Sequence, residues 1–424
     1  MQKSMSLVRG VPVYLGANIL NAAIPFLLLP ILTRVLSPTE YGIVAMFITV
    51  VSIFNAFTGL SVHGAISVRY FQLSRAELSE YVTSCIGILV LSTAALVIVI
   101  VVTGRWVDQL TGIPVDWLIV AVFTAAMQFL ANVILVMWQV TEKPWHYGGA
   151  QIGRSLLEAM LSLLFVLVLG MAWQGRLLGF SIAACALGLL AMAWLYKDGL
   201  LRQPIIWTRH TRDALQFGLP LIPHQIGGLL IVGADRLIIN KLLGSENVGI
   251  YMVALQISQV LGLLTDSFNR AYAPWLFKQL AAPSDDAKLK IVKGTYFYFI
   301  LITMLATMYG LVVPHVLSIA IGPQFMTSAD LILPMSLALA FGGCYYMVVN
   351  YIFYAGKTKH LAIVSLATGL VNIPLTFLLT QEYMLNGAAL AFLASNLLVF
   401  TGAWMLSSKV YAMPWARSIG KPTS

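Results

Sequence analysis

Charge is what this chain lacks most. Asp, Glu, Lys and Arg make up 10% of its 424 residues, against roughly a quarter in soluble domains. With hydrophobic residues at 59% and a mean hydropathy of +0.87, a water-soluble globule is excluded. Acidic residues are scarcest, 16 against 25 Lys and Arg, for a net charge of +9. Cys85, Cys185 and Cys344 stand singly in apolar segments, which excludes a disulfide framework and a CxxC metal pattern. Long hydrophilic loops are missing too, so a catalytic domain outside the membrane has no place to sit. Nor is there an HExxH, a GxSxG or a pair of carboxylates clustered in one apolar segment. No catalytic residue, cofactor or metal is expected.

Long apolar runs are what the chain does have. A helix needs about 20 residues to cross roughly 30 Å of hydrocarbon. Runs of that length lie near 11–34, 41–63, 81–103, 115–139, 149–171, 176–196, 215–240, 247–269, 291–314, 328–353, 361–380 and 385–408. A membrane barrel would show alternating segments of about ten residues instead. The expectation is an all-α polytopic membrane protein with twelve transmembrane helices. Its N-terminal MQKSMSLVRG runs into a full-length span without a small-residue cleavage site and reads as an uncleaved first helix.

The basic residues sort by loop. Lys3, Arg9, Arg69, Arg75, Lys143, Arg154, Lys197, Arg202, Arg209, Arg212, Arg270, Lys278, Lys288, Lys290, Lys293, Lys357, Lys359, Lys409, Arg417 and Lys421 fall on one side, twenty of the 25. Arg34, Arg105, Arg176, Arg236 and Lys241 fall on the other. Such a bias obeys the positive-inside rule and places both termini in the cytoplasm. The basic pI therefore reports topology, and nucleic acid is not an expected partner.

The chain also repeats itself. LSPTEYGI at 36–43 aligns with LGSENVGI at 243–250 at an offset of 207, matching Leu36, Gly42 and Ile43 to Leu243, Gly249 and Ile250 and placing Arg34 over Lys241. GRLLGFSIAACA at 175–186 aligns with YMLNGAALAFLA at 383–394, with Gly179 over Gly387. Six spans per repeat put both halves in the same orientation, as in parallel-repeat transporters. Two pseudo-symmetric six-helix bundles are expected, at 1–200 and 214–424, joined by a polar cytoplasmic linker at 201–213.

Polar residues inside spans are costly and so are the first functional candidates. The first span carries Asn18, Asn21, Pro25 and Pro30 before Arg34, and the seventh carries Pro220, Pro223, His224 and Gln225, then Asp235, Arg236 and Lys241. Proline-interrupted helices at matching places in two repeats point to a transport path, because kinks free backbone carbonyls. Gln256, Gln259, Asp266 and Arg270 share one face of the eighth span, and Asp266 and Arg270 have the spacing of an i,i+4 ion pair. Arg154 and Glu158 of the fifth span have the same spacing and read as a snorkelling pair. Tryptophans near span ends suit an aromatic belt, and Tyr345, Tyr346 and Tyr351 suit the core better than a sugar path.

PILTRVLSPTEYG at 30–42, FGLPLIPHQ with ADRLIINKLLGSENVGIY in the seventh and eighth spans, YAGKTKH after the tenth and LNGAALAF at 385–392 together resemble the bacterial polysaccharide transporter family. These are flippases of lipid-linked oligosaccharides, including O-antigen and capsule repeat units, in a superfamily shared with multidrug and toxin extrusion antiporters and the lipid II flippase. The resemblance spans essentially the whole chain. It implies a bacterial inner-membrane protein that moves an undecaprenyl-diphosphate-linked repeat unit from the cytoplasmic to the periplasmic leaflet by alternating access. A polysaccharide polymerase and a chain-length regulator are the implied protein partners, besides membrane lipids. Carried over, the family's cleft arginines correspond to Arg34, Arg270 and Arg69, with Asp235 and Arg236 in the seventh-span motif; Lys241, Gln259 and Asn21 complete the candidate cleft residues from the span reading above, and Asp235, Asp266, Glu158 and His224 are the titratable groups that could couple an ion gradient. The alternatives are a multidrug or cation antiporter or lipid II flippase of the same superfamily, and a membrane glycan polymerase or ligase, which would need a large periplasmic loop.

Overall fold

The computed structural model describes Gly16, Asn21 and residues 23–201, 209–281 and 284–415. Those residues are helical almost throughout and contain no strand. In hydrocarbon a helix satisfies its backbone groups within the segment, which is why so apolar a chain folds this way. Helix α1 covers Ala23–Val35 and α2 Pro38–Phe57, followed by a break at Thr58–Ser61 and the short α3, His63–Arg69. The first repeat continues with α4 (Arg75–Thr111), α5 (Val115–Val140), α6 (Pro144–Leu163, extended by a π turn to Val168) and α7 (Ala172–Lys197). Helix α8 (Arg209–Gly218) leads to α9 (Leu221–Leu243), α10 (Ser245–Ala281), α11 (Asp285–Ala320), α12 (Ala329–Tyr354) and α13 (Thr358–Val410).

Nine of the described helical segments are long and apolar enough to cross a membrane. Ala23–Val35 is a shorter apolar helix, and α9, where the seventh span was expected, holds Asp235, Arg236 and Lys241. The eleventh and twelfth expected spans both lie in α13, whose 53 residues are interrupted at Tyr383 and Met384, the latter at φ 53°. The chain folds back there. Ser395 donates a 2.6 Å hydrogen bond to Asn372 across 23 residues of sequence, and a Cβ on Gly387 would meet the Leu379 carbonyl. The α6–α7 hairpin is built alike, with Gly179 set against the Ser162 backbone at the matching repeat position.

Helix starts follow local chemistry. Ser37 caps α2 in a capping box: the Glu40 N–H donates to Ser37 Oγ at 3.3 Å and the Ser37 N–H to Glu40 Oε2 at 2.8 Å. With Pro38 in the first turn, this explains the lone glutamate of SPTEYG. Ser74 and Glu77 repeat the device at α4.

The helices pack as two compact units. The first holds residues up to Leu229 together with Gly244–Gly249, and the second holds Leu230–Leu243 with residues from Ile250 on. The division therefore passes through α9 and α10. A physical reason lies in α8, which buries Ala214 in the first core beside Val62, Tyr81 and Ile134. Within the first unit the two copies of the repeated motif clasp each other. A Cβ on Gly42 would lie 2.7 Å from the Ser245 carbonyl carbon, and one on Gly249 would lie 2.9 Å from that of Pro38. Pro38 and Ser245, like Gly42 and Gly249, are separated by the repeat offset of 207, so the contact is reciprocal.

Neither side of that clasp can give, since both are backbone. Gly42→Ala or Gly249→Ala should destabilise the folded protein by about 1–3 kcal/mol, as overpacking does. Gly87→Ala, where nothing lies within 4 Å of an added Cβ, should leave the melting temperature in detergent unchanged or raised.

Candidate functional site

Helix α6 presents two faces. Gly149, Gly153, Leu156, Met160, Leu164 and Leu167 are exposed along one side, as lipid contact requires. Gln151, Arg154, Ser155, Glu158 and Ser162 line the other, all half-buried except the buried Ser162. Arg176, near the start of α7, enters this polar face. Its Nη2 donates to Glu158 Oε1 at 2.8 Å and its Nη1 to Ser162 Oγ at 2.9 Å, with Arg176 buried and Glu158 half-buried. Ser155 donates to Asn21 Oδ1, which ties the first span to the same face.

Arg154 is the odd member. Its expected partner Glu158 is hydrogen-bonded to Arg176, and the Arg154 guanidinium instead lies over the Phe180 ring, 5.9 Å from its centroid. The spacing i,i+4 allowed the pair, but a closer donor from the next helix took the carboxylate. The sequence showed Arg176 only as a loop-side cation, although Ser162 and Glu158 lie one helical turn apart and face it.

In the second unit, Asp235 of α9 is buried and accepts a 2.6 Å hydrogen bond from the Tyr251 hydroxyl and a 2.8 Å one from the Arg236 N–H. Arg236 is half-buried and Lys241 exposed, in the last turn of α9 where a cation suits the helix dipole. On α10 the Asp266–Arg270 spacing closes as a 2.8 Å bond, and Gln259 is exposed on the same face. The side chain of His224 lies outside the described residues.

Two other arginines are placed at helix ends. Arg34 is exposed and donates to the Pro30 carbonyl at 2.7 Å, one turn back in its own helix. Arg69 grips Asp213 of α8 through two bonds of 2.8 and 2.6 Å, and the Tyr81 hydroxyl donates to the same carboxylate at 3.1 Å. Its guanidinium thus fastens α8 to α3, helped by His210, 3.7 Å from Glu80, while Arg75 pairs with Asp198 at the end of α7. Tyr351 is fully buried, as a core residue would be, whereas Tyr345 and Tyr346 are half-buried. Among the described residues no cluster of His, Cys, Asp and Glu could hold a metal ion.

The fold is that of known membrane transporters. A lipid II flippase in an inward closed conformation matches 94% of this chain and 87% of its own with a TM-score of 0.75 at 14% identity. A multidrug resistance transporter in an inward-facing conformation covers 93% and 94% with a TM-score of 0.62, again at 14% identity. Within that class residues 7–280 match the model of the polysaccharide biosynthesis protein family, and the chain belongs to it. Its relatives include a Haemophilus influenzae protein named Lsg locus putative protein 1, 26% identical over 375 residues, 85% of this chain and 88% of that protein. The capsular polysaccharide biosynthesis protein CapF of Staphylococcus aureus is 20% identical over 403 residues, 93% of this chain and 98% of its own. The chain is accordingly a multi-pass protein of the bacterial inner membrane.

Breaking the Glu158–Arg176 pair from one side should be worse than removing it whole. Glu158→Gln or Arg176→Gln leaves a largely buried group unpaired and should cost roughly 3–5 kcal/mol, whereas Glu158→Leu with Arg176→Met should recover much of that. A double-mutant cycle on thermal unfolding measures the coupling. Additive losses would show the pair to be uncoupled.

Proposed function

We propose that this protein is a flippase for oligosaccharide linked to undecaprenyl diphosphate, carrying an O-antigen, capsule or exopolysaccharide repeat unit from the cytoplasmic to the periplasmic leaflet by alternating access. Membership of a polysaccharide biosynthesis family on a transporter fold supports this. The observation that carries it is the polar stripe on α10, where Gln259, Asp266 and Arg270 lie along one face of a helix otherwise apolar enough to span. Such a ligand brings hydroxyls and a diphosphate that bare hydrocarbon would leave unsatisfied at several kcal/mol each. Arginine suits the diphosphate, because its planar fork keeps its charge and donates two parallel bonds.

In this reading Arg270, Arg236 and Gln259 serve the substrate from the second repeat and Asn21 and Arg34 from the first, with Arg34 and Lys241 marking the periplasmic end of the path. Arg69 would reach substrate only by releasing Asp213. Glu158, Asp235, Asp266 and His224 are the groups through which an ion gradient would act. A polymerase and a chain-length regulator would receive the product. A cation antiporter is the second reading the fold allows. It is favoured less because Glu158, Asp235 and Asp266 are each already engaged by Arg176, Tyr251 and Arg270.

Deleting the gene and following labelled lipid-linked sugar tests the proposal. Accumulation on the cytoplasmic leaflet is expected, rescued by wild type but not by Arg270→Ala or Arg34→Ala at equal expression. Normal export in the deletion strain, with loss of drug resistance, would overturn it in favour of the antiporter.

A further inference from the structure

Arg154 stands about ten residues into α6, and so about 15 Å from its Pro144 end. Counted from residue 149, where the apolar run begins, it lies about 7–8 Å inside the hydrocarbon at 1.5 Å per residue, where an arginine is costly unless it meets a partner. It faces away from the lipid side of α6 and is only half-buried. Among the described residues its guanidinium makes no hydrogen bond. Glu158 is bonded to Arg176, and Ser155 on the same face is bonded to Asn21. The Phe180 ring lies 5.9 Å from its guanidinium carbon, a cation–π contact that uses none of the N–H donors. Arg154, Glu158 and Arg176 together carry one net positive charge. A cation on a polar helix face, with no hydrogen-bond acceptor of its own among the described residues, fits an anion that comes and goes.

We propose that Arg154 is a further substrate-binding residue of the first unit, taking the diphosphate of the lipid carrier as a forked ligand while Asn21 and Gln151 line its approach. The proposal rests on the flippase reading and deepens it. The diphosphate is the anionic group that every carrier-linked saccharide shares, so a site for it does not depend on the sugar. Arg176 acts differently: by occupying Glu158 it positions Arg154 without touching the ligand.

The test is equilibrium binding to the full-length protein in neutral-lipid nanodiscs, using undecaprenyl diphosphate, uncharged undecaprenol and inorganic pyrophosphate, with and without phosphatidylglycerol. Arg154→Gln should weaken undecaprenyl diphosphate about tenfold or more, near 1.4 kcal/mol, and leave undecaprenol unchanged. Arg154→Lys, which keeps the charge but loses the fork, should fall between the two; if the glutamine variant fails to fold, the lysine variant carries the test. Wild-type affinity for undecaprenyl diphosphate in a folded Arg154→Gln protein would overturn the assignment. So would phosphatidylglycerol or pyrophosphate competing as well as the carrier, which would make the site one for bulk lipid or free phosphate. Failure of the wild type to bind undecaprenyl diphosphate at all would instead overturn the flippase reading itself.

Discussion

A charge placed in hydrocarbon must be answered by another group, and this constraint orders the molecule. Glu158, Asp235 and Asp266 obey it by different means. Glu158 is met by Arg176 from the next helix, Asp235 by a tyrosine hydroxyl and the following backbone N–H, and Asp266 by an arginine one turn along. Only the first is a largely buried pair of full charges. Such a pair is weak evidence for stability, so its retention in an otherwise apolar bundle points toward a task. That task, in the present reading, is to leave a second arginine uncommitted.

Glycine supplies the other constraint. Helices that approach closely in lipid do so over small residues, because no solvent drives them together and packing must. Gly42 and Gly249 bring backbone to backbone at the clasp, and Gly179 and Gly387 do so in the two hairpins. All four sit at repeat-related positions. A repeat whose overall identity is weak thus keeps its glycines where a Cβ would prevent the approach.

Much of this was legible in the sequence. Membrane class and helical fold follow from composition and run length, and the shared glycines of the repeat mark what became the clasp and the hairpins. The Asp266–Arg270 pair followed from helical spacing alone. What spacing could not decide was competition from other helices. Arg154 and Glu158 were matched by i,i+4 geometry, yet Arg176 lies 18 residues from Glu158 and reaches it only because the hairpin folds back. Arg69 was similarly bound by Asp213, 144 residues away. Helix α8 is amphipathic, and its apolar side enters the first core through Ala214, Leu215 and Phe217. Gln151, Ser155 and Ser162 extend the Arg154–Glu158 face into a polar stripe from the second turn of α6 to its end, a pattern readable from the helical period.

The repeats share backbone geometry and differ in chemistry. At the α6–α7 hairpin the first repeat places Glu158, Ser162 and Arg176, while the corresponding α13 hairpin of the second joins Asn372 to Thr376 and Ser395 without a charge. Identical halves could present the same groups to a ligand from both repeats. This chain instead keeps the symmetric part, the glycine contacts, for the crossings of its helices and varies the polar side chains on them.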